Sequence, residues 1–362
     1  MGKPKFRTAQ STYYEELIAN HGKNIRDISN SDRIKKIIDQ AIETRKPVHY
    51  DSLNTRNEGQ RVWEGSTLTP IYNNQGKLIK MIIIDTDITE RKDAEDLLKE
   101  KNKEILDSIN YAKRLQDAIL PSKQSILEHF PSSFVLYKPK DIVAGDFYWL
   151  EQVDQYVFFA VADCTGHGVP GAMVSVVCSN ALNKAVMEER LTDPGEILDR
   201  ITDLVIDRFG TDASVRDGMD ISLCRLDQHG ELAYAGAYSP LYLVNQLNEH
   251  SLDEKFKSAT HWIKEIKANK QLIGWYEHRS KFTTHFIKMA PKQSLYLFTD
   301  GFYDQFGGPK GKKFKTANFK RLILKIHDKS MKEQGQIMDQ TIEEWKGEFE
   351  QVDDICVIGI RI

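Results

Sequence analysis

No apolar run in this sequence is long enough to cross a membrane. The longest, such as Met81–Ile84 and Val157–Ala162, fall far short of the roughly 20 residues a spanning helix needs. The first residues, Met1-Gly2-Lys3-Pro4-Lys5-Phe6, carry no apolar signal-peptide core, and Phe6 stands where a myristoylation site wants Ser or Thr. Cysteine is scarce: Cys164, Cys178, Cys224 and Cys356 make four, with no CxxC pair. They predict reduced thiols in a cytoplasmic protein and exclude a disulfide framework or a cysteine-based zinc site. A charge excess is missing too, with 50 basic residues against 53 acidic ones and a net charge of -3. A chain built around nucleic-acid phosphates shows a strong basic excess, so neither a nucleic-acid partner nor membrane insertion is expected. The remainder, 362 residues at 40% hydrophobic and 28% charged, is a globular chain long enough for two or three domains.

The sequence divides into three parts. In residues 1–88, Ile34, Ile37, Ile38, Ala41 and Ile42 recur at helical spacing. Arg61–Ile71 and Leu78–Asp85 read as strands joined by Asn73-Asn74-Gln75-Gly76, so this part is a small α+β unit. Residues 89–128 form a linker in which Glu90 to Ile119 lacks Gly and Pro and is dense in both charges. Leu98, Ile105, Ala112 and Ile119 are spaced by seven, and Pro121 marks the end. A solvated helix satisfies this pattern; so does a parallel homodimeric coiled coil through residues 90–119, although Lys101 and Ser108 interrupt its seam. From 129 to 362 strands predominate: Tyr156–Ala162, Ile221–Leu226, Leu241–Val244, Ser294–Phe298 and Ile355–Ile362. Helices are predicted at Gly171–Val186, Pro194–Arg208 and Lys332–Lys346. Short turns such as Asp227-Gln228-His229-Gly230 favour antiparallel sheets over a parallel doubly wound fold.

This last part places aspartates at strand ends. Asp146 precedes Phe147-Tyr148-Trp149, Asp163 follows Tyr156–Ala162, Asp300-Gly301 follows Leu295–Thr299, and Asp353-Asp354 opens the final strand. A carboxylate at a rigid strand end can be aimed, and a neighbouring glycine allows close approach. One Asp-Gly alone is more often a turn. Four such places, with no His-x-x-x-His or Cys pair, point to hard, oxygen-coordinated Mg2+ or Mn2+.

Ala144-Gly145-Asp146-Phe147-Tyr148, Asp163-Cys164-Thr165-Gly166-His167-Gly168, Phe298-Thr299-Asp300-Gly301 and Asp353-Asp354 together resemble the metal-dependent (PPM, type 2C-like) serine/threonine phosphatases, in the stage II sporulation protein E branch. The resemblance covers about residues 130–362. It implies an αββα sandwich, two antiparallel sheets flanked by helices, with two Mn2+ or Mg2+ ions at one edge. Asp146 and Asp163 are implied as central ligands, with Asp163 bridging. The Cys164 carbonyl, Asp300 and Asp353 are implied to complete the shells, and Asp354 to stand beside the last ligand, where it meets phosphate or metal-bound water. The branch often has Gly-Met at Cys164-Thr165 and a second aspartate at Trp149. The arginine that grips phosphate in eukaryotic relatives has no counterpart here, and Lys138 and Lys140 are the nearby cations. For His167, between two glycines, a general-acid role and a structural role such as capping the next helix are both open.

Trp63, Leu68-Thr69-Pro70-Ile71, Gly76-Lys77 and Ile84-Asp85-Thr86-Asp87-Ile88-Thr89-Glu90-Arg91-Lys92 resemble the last strands and exit motif of a PAS sensor domain, here a partial one. The same stretch fits the DxDxT pattern of haloacid-dehalogenase-type phosphatases, with Asp85 as nucleophile. That reading demands a Rossmann-like domain, and a charged helix follows instead. The resemblances together imply a protein phosphatase under sensor control. It would hydrolyse phosphoserine or phosphothreonine through a metal-bridging hydroxide, on a phosphorylated signalling protein such as an anti-anti-sigma (STAS-type) regulator. The competing expectation is a catalytically silent scaffold with a phosphatase-like, partner-binding domain.

Overall fold

The computed structural model describes residues 32–55, 60–210, 217–247 and 255–362. The chain forms two compact units, Met1–Ile105 and Leu106–Ile362.

In the first unit, helix α1 (Asp32–Thr44) is followed by β1 (Val48–Thr55), β2 (Arg61–Tyr72) and β3 (Leu78–Asp87). The strands form an antiparallel sheet in the order β1-β2-β3. The predicted apolar stripe works as expected: Ile38 and Ala41 are buried against Leu68, with Ile34, Ile37 and Ile42 packed around them. At the hairpin, Asn73 Oδ1 accepts from the backbone N–H groups of Gln75 and Lys77, and Gly76 takes φ 76°. The opening residues, which bear on how complete the PAS unit is, lie outside the described residues.

Helix α2 (Thr89–Asp117) runs unbroken for 29 residues, about 44 Å at ~1.5 Å per residue. Asp87 sets its start, accepting through Oδ1 from the N–H and the hydroxyl of Thr89. The expected seam is shorter by one member. Ile119 lies beyond the helix, in a turn where its N–H donates to the Gln116 carbonyl; the residue before Pro121 is disfavoured in the helical conformation, which ends the helix here. Leu98 and Ile105 are 61% and 56% exposed.

The second unit continues with α3 (Lys123–His129), β4 (Ser133–Lys138), β5 (Phe147–Val153), β6 (Tyr156–Cys164), α4 (Gly168–Asn183), α5 (Pro194–Phe209), β7 (Met219–Leu226), β8 (Glu231–Ala237), β9 (Leu241–Gln246), β10 (His261–Ile266), β11 (His285–Lys288), β12 (Ser294–Phe298), α6 (Gly301–Asp304), β13 (Phe306–Gly307), β14 (Lys312–Lys313), α7 (Thr316–Ile326), α8 (Met331–Lys346) and β15 (Ile355–Arg361). Two five-stranded sheets result, ordered β11-β8-β7-β6-β5 and β10-β9-β12-β15-β4, with antiparallel pairing throughout. Strand alternation divides the core into three layers. On β6, Phe158, Ala160 and Ala162 face α4 and α5, while Phe159 and Val161 face the opposite sheet. On β12, Leu295 and Leu297 meet them between the sheets, while Tyr296 and Phe298 pack under α7 and α8. The expected αββα sandwich is the observed architecture. No described helix is long and apolar enough to cross a membrane.

Candidate active site

The same alternation delivers carboxylates to one edge of the sandwich. Tyr148 and Leu150 of β5, Phe159 and Val161 of β6 and Cys224 of β7 face the space between the sheets. Counting outward in twos, Asp163 follows Val161, Asp220 lies four residues before Cys224, and Asp146, just before β5, lies two before Tyr148, so all three share that parity. Asp163 and Asp220 are direct cross-strand neighbours. From the opposite sheet, β12 ends just before Asp300 and β15 begins just after Asp353 and Asp354. Neighbouring strands run in opposite directions, so a strand that ends there pairs with one that begins there.

Asp163, Asp220, Asp300, Asp353, the Cys164–His167 turn and Tyr238 line a cavity of about 430 Å³. A larger groove of about 870 Å³ runs along β4 between α3 and α8, and its lining carries one carboxylate, Asp339. The carboxylates gather around the smaller space. Close approach there depends on glycine. A Cβ on Gly145 would stand 2.4 Å from the Gly166 carbonyl oxygen, and one on Gly301 would stand 1.9 Å from that of Asp354.

The carboxylates oppose one another's ionisation. Burial, then the charges of Asp300, Asp353 and Asp220, pushes Asp163 up to about 8. Burial and Asp300 push Asp220 up to about 7. Burial, Asp304 and Asp353 push Asp300 up to about 6, against the pull of Lys313. Asp146 is only 2% exposed, and burial, then the Asp163 charge, raises it well above the usual carboxylate range. Its Oδ2 is buried with no hydrogen-bond partner. Among the described residues, no three His, Cys, Asp or Glu side chains are gathered as a formed metal site. The donor set nonetheless fits hard cations: it is all oxygen, crowded with like charge, and holds one orphaned buried carboxylate oxygen.

Asp354, expected beside the last ligand, faces backbone N–H groups. Its Oδ1 accepts from the Lys140 N–H at 2.7 Å and its Oδ2 from the Gly145 N–H at 2.7 Å. Both oxygens thus clamp the segment that carries Asp146, and the residue is 2% exposed. Cys164 is buried and packs beside Cys178; burial pushes its thiol well up, the opposite of what a nucleophile needs. His167 occupies the N-cap position of α4, yet its side chain makes no capping bond. Its ring instead meets Asp141 at 2.9 Å through Nδ1 and Lys140 at 3.0 Å through Nε2. Lys138 is occupied elsewhere, by Asp339 and Glu343 at 2.6 and 2.7 Å.

Sequence reasoning missed two residues here. Asp220 lacks the Asp-Gly signal, although its parity with Ser222 and Cys224 would have placed it. Gln116, on the last turn of α2, is 4% exposed. Its Nε2 donates to the Ala144 carbonyl at 2.6 Å and to Ser175 Oγ at 3.0 Å, and its Oε1 accepts from the Ala144 N–H at 3.0 Å.

A family model, stage II sporulation protein E (SpoIIE), matches residues 153–362. The SiaA-PP2C domain of Pseudomonas aeruginosa is 30% identical, covering 72% of this chain and 98% of that domain, with a TM-score of 0.63. The chain belongs to the SpoIIE-type PP2C phosphatase family. Metal dependence is the norm of that family. A PAS domain model matches residues 18–90, so the SpoIIE-type domain follows a PAS domain. The PP2C phosphatase domain of SpoIIE from Bacillus subtilis, with a fragment of its regulatory domain, is 14% identical. It covers 96% of this chain and 93% of its own, with a TM-score of 0.49. The RsbU and RsbW domains of a Mycobacterium tuberculosis protein are 18% identical, with 64% and 60% covered and a TM-score of 0.47.

Proposed function

We propose that this chain is a metal-dependent protein serine/threonine phosphatase controlled by its PAS unit through α2. The observation that carries this reading is the convergence of strand-end carboxylates from both sheets on one cavity, with Asp146 buried and unsatisfied beside them. Asp146, Asp163, Asp300, Asp353 and the Cys164 carbonyl are the groups to hold two Mn2+ or Mg2+ ions, with Asp220 a further carboxylate of the same wall. Bound there, such ions supply an activated water and neutralise phosphoryl charge. The chain's own part is to fix those oxygens on strand ends, to clamp the Asp146 segment through Asp354, and to admit a phosphorylated side chain into an open cavity. A phosphorylated signalling protein, of the STAS type used in partner switching, is the proposed substrate. The exposed apolar positions of α2, Leu98 and Ile105 among them, support a homodimer through that helix.

The test is hydrolysis of para-nitrophenyl phosphate and of a phosphoserine peptide by chelated enzyme titrated with Mn2+, Mg2+ or Zn2+. Turnover is expected with the first two and poorly with zinc. Asp163→Asn should abolish turnover and weaken metal binding. Asp85→Asn should leave turnover within a few-fold, since Asp85 sits on an antiparallel sheet accepting from Ser66 Oγ at 2.6 Å, with no nucleophile's setting. Full activity without any divalent metal would refute the mechanism. Metal binding with no turnover on any phosphoprotein would leave a binding scaffold.

A further inference from the structure

We propose that Lys140, held by a His167–Asp141 pair, receives the phosphate group of the substrate at the mouth of the acidic cavity. The proposal rests on the phosphatase reading and adds a substrate-binding residue and two positioning residues to it.

A phosphomonoester is a dianion, and the cavity it must enter is walled by Asp163, Asp220, Asp300 and Asp353, with no lysine or arginine among its lining residues. Cations bound by those carboxylates offset part of the repulsion; a fixed cation at the rim would guide and hold the remaining phosphoryl oxygens. The lysines nearby are unequal. Lys138 is committed to two carboxylates on α8. Lys313 is paired with Asp304 at 2.8 Å. Lys140 makes no ion pair among the described residues, and its ammonium lies 3.0 Å from Nε2 of His167, a ring that lines the cavity.

That contact fixes the proton arrangement. An ammonium has donors only, so Nε2 must accept, and the ring proton therefore sits on Nδ1 and is donated to Asp141 Oδ2. Asp141 orients the ring, and the ring orients the ammonium. In this arrangement His167 holds Lys140 and has no proton on Nε2 to give a leaving group. The glycine after it is part of the device: Gly168 has φ 63°, and a Cβ there would stand 3.1 Å from Asp141 Oδ2. The base of Lys140 is fixed as well, because its N–H donates to Asp354. One neutral imidazole does not satisfy an ammonium with three donors, which leaves protons for an anion.

The experiment compares wild type with Lys140→Met, Lys140→Arg, His167→Ala and the Lys140→Met/His167→Ala double variant, each checked by circular dichroism and thermal melting. Three quantities are read: Mg2+ affinity, binding of inorganic phosphate to the Mg2+-loaded protein by calorimetry, and KM and kcat on a phosphoserine peptide. Lys140→Met should weaken phosphate and raise KM by about ten-fold or more, the scale of a charge-assisted hydrogen bond, with Mg2+ affinity unchanged. Lys140→Arg should recover most of the loss. His167→Ala should produce a smaller loss and add nothing in the double variant, because it acts through the lysine. Unchanged phosphate affinity and KM in Lys140→Met, with normal wild-type turnover, would overturn this proposal and leave the phosphatase reading intact. A fully additive double variant would overturn the positioning role of His167. Absence of both phosphate binding and turnover in the metal-loaded wild type would overturn both readings.

Discussion

Replacing Gln116 by leucine tests how firmly the end of α2 holds the loop before β5. The side chains are similar in size, so the change removes hydrogen bonds without opening a cavity. Three are lost: two to the backbone of Ala144 and one to Ser175. Ala144 is fully buried, so its N–H and C=O have no water to turn to. An unsatisfied buried polar group costs about 1–3 kcal/mol, and two of them, slightly offset by the more apolar leucine, give a loss of about 3 kcal/mol. For a unit of this size that lowers Tm by about 6–12 °C. Since Ala144 adjoins Gly145 and Asp146, the loosened loop should also weaken Mn2+ binding and reduce turnover. The assay is a thermal melt of the chelated and Mn2+-loaded protein together with a Mn2+ titration of activity. A Gln116→Leu protein that melts within a degree of wild type refutes this role for the Gln116 hydrogen bonds. One that is destabilised yet binds Mn2+ as before makes Gln116 a packing residue only.

Two further outcomes are expected. In the metal-free protein, Asp163, Asp220 and Asp300 have folded-state pKa values of about 8, 7 and 6, above the ordinary 3.8. The folded state therefore holds more protons than the unfolded one, and the stability they contribute is lost as pH rises through that range. With chelator, stability should fall by on the order of a few kcal/mol between pH 5.5 and 8.5, read as a falling Tm, and Mn2+ should abolish the fall; a flat or rising Tm without metal would contradict it. Light scattering should find the full chain dimeric and a fragment starting near Phe130 monomeric, and a monomeric full chain at micromolar concentration would remove the role given to Leu98 and Ile105.

Legibility in the sequence followed the range of the forces involved. The placement of Asp146, Asp163, Asp300 and Asp353 at strand ends was legible because each marks the end of an apolar strand, a local pattern. The antiparallel architecture was legible from short turns such as Asp227–Gly230, where Asp227 Oδ1 accepts from the N–H groups of His229 and Glu231. Gln116 was not legible, because a polar residue on a charge-dense helix looks solvated until the β5 approach loop is folded against it. The difference between Lys138 and Lys140 was equally hidden. It is decided by Asp339 and Glu343, about two hundred residues further along. Asp354 was expected to meet phosphate or metal-bound water beside the last ligand, and only tertiary structure revealed that both its oxygens face backbone N–H groups.

The place of β15 has a consequence for how the protein is made. It follows every other element of the second unit in sequence, yet it lies inside its sheet, between β12 and β4. Until it emerges from the ribosome, β4 has no neighbour in that sheet, and the clamp of Asp354 on Gly145, which spans 209 residues, cannot close. Non-local pairing of this kind forms late. A nascent chain thus carries most of its acidic residues apart, and the cluster of carboxylates is assembled only with the completed domain.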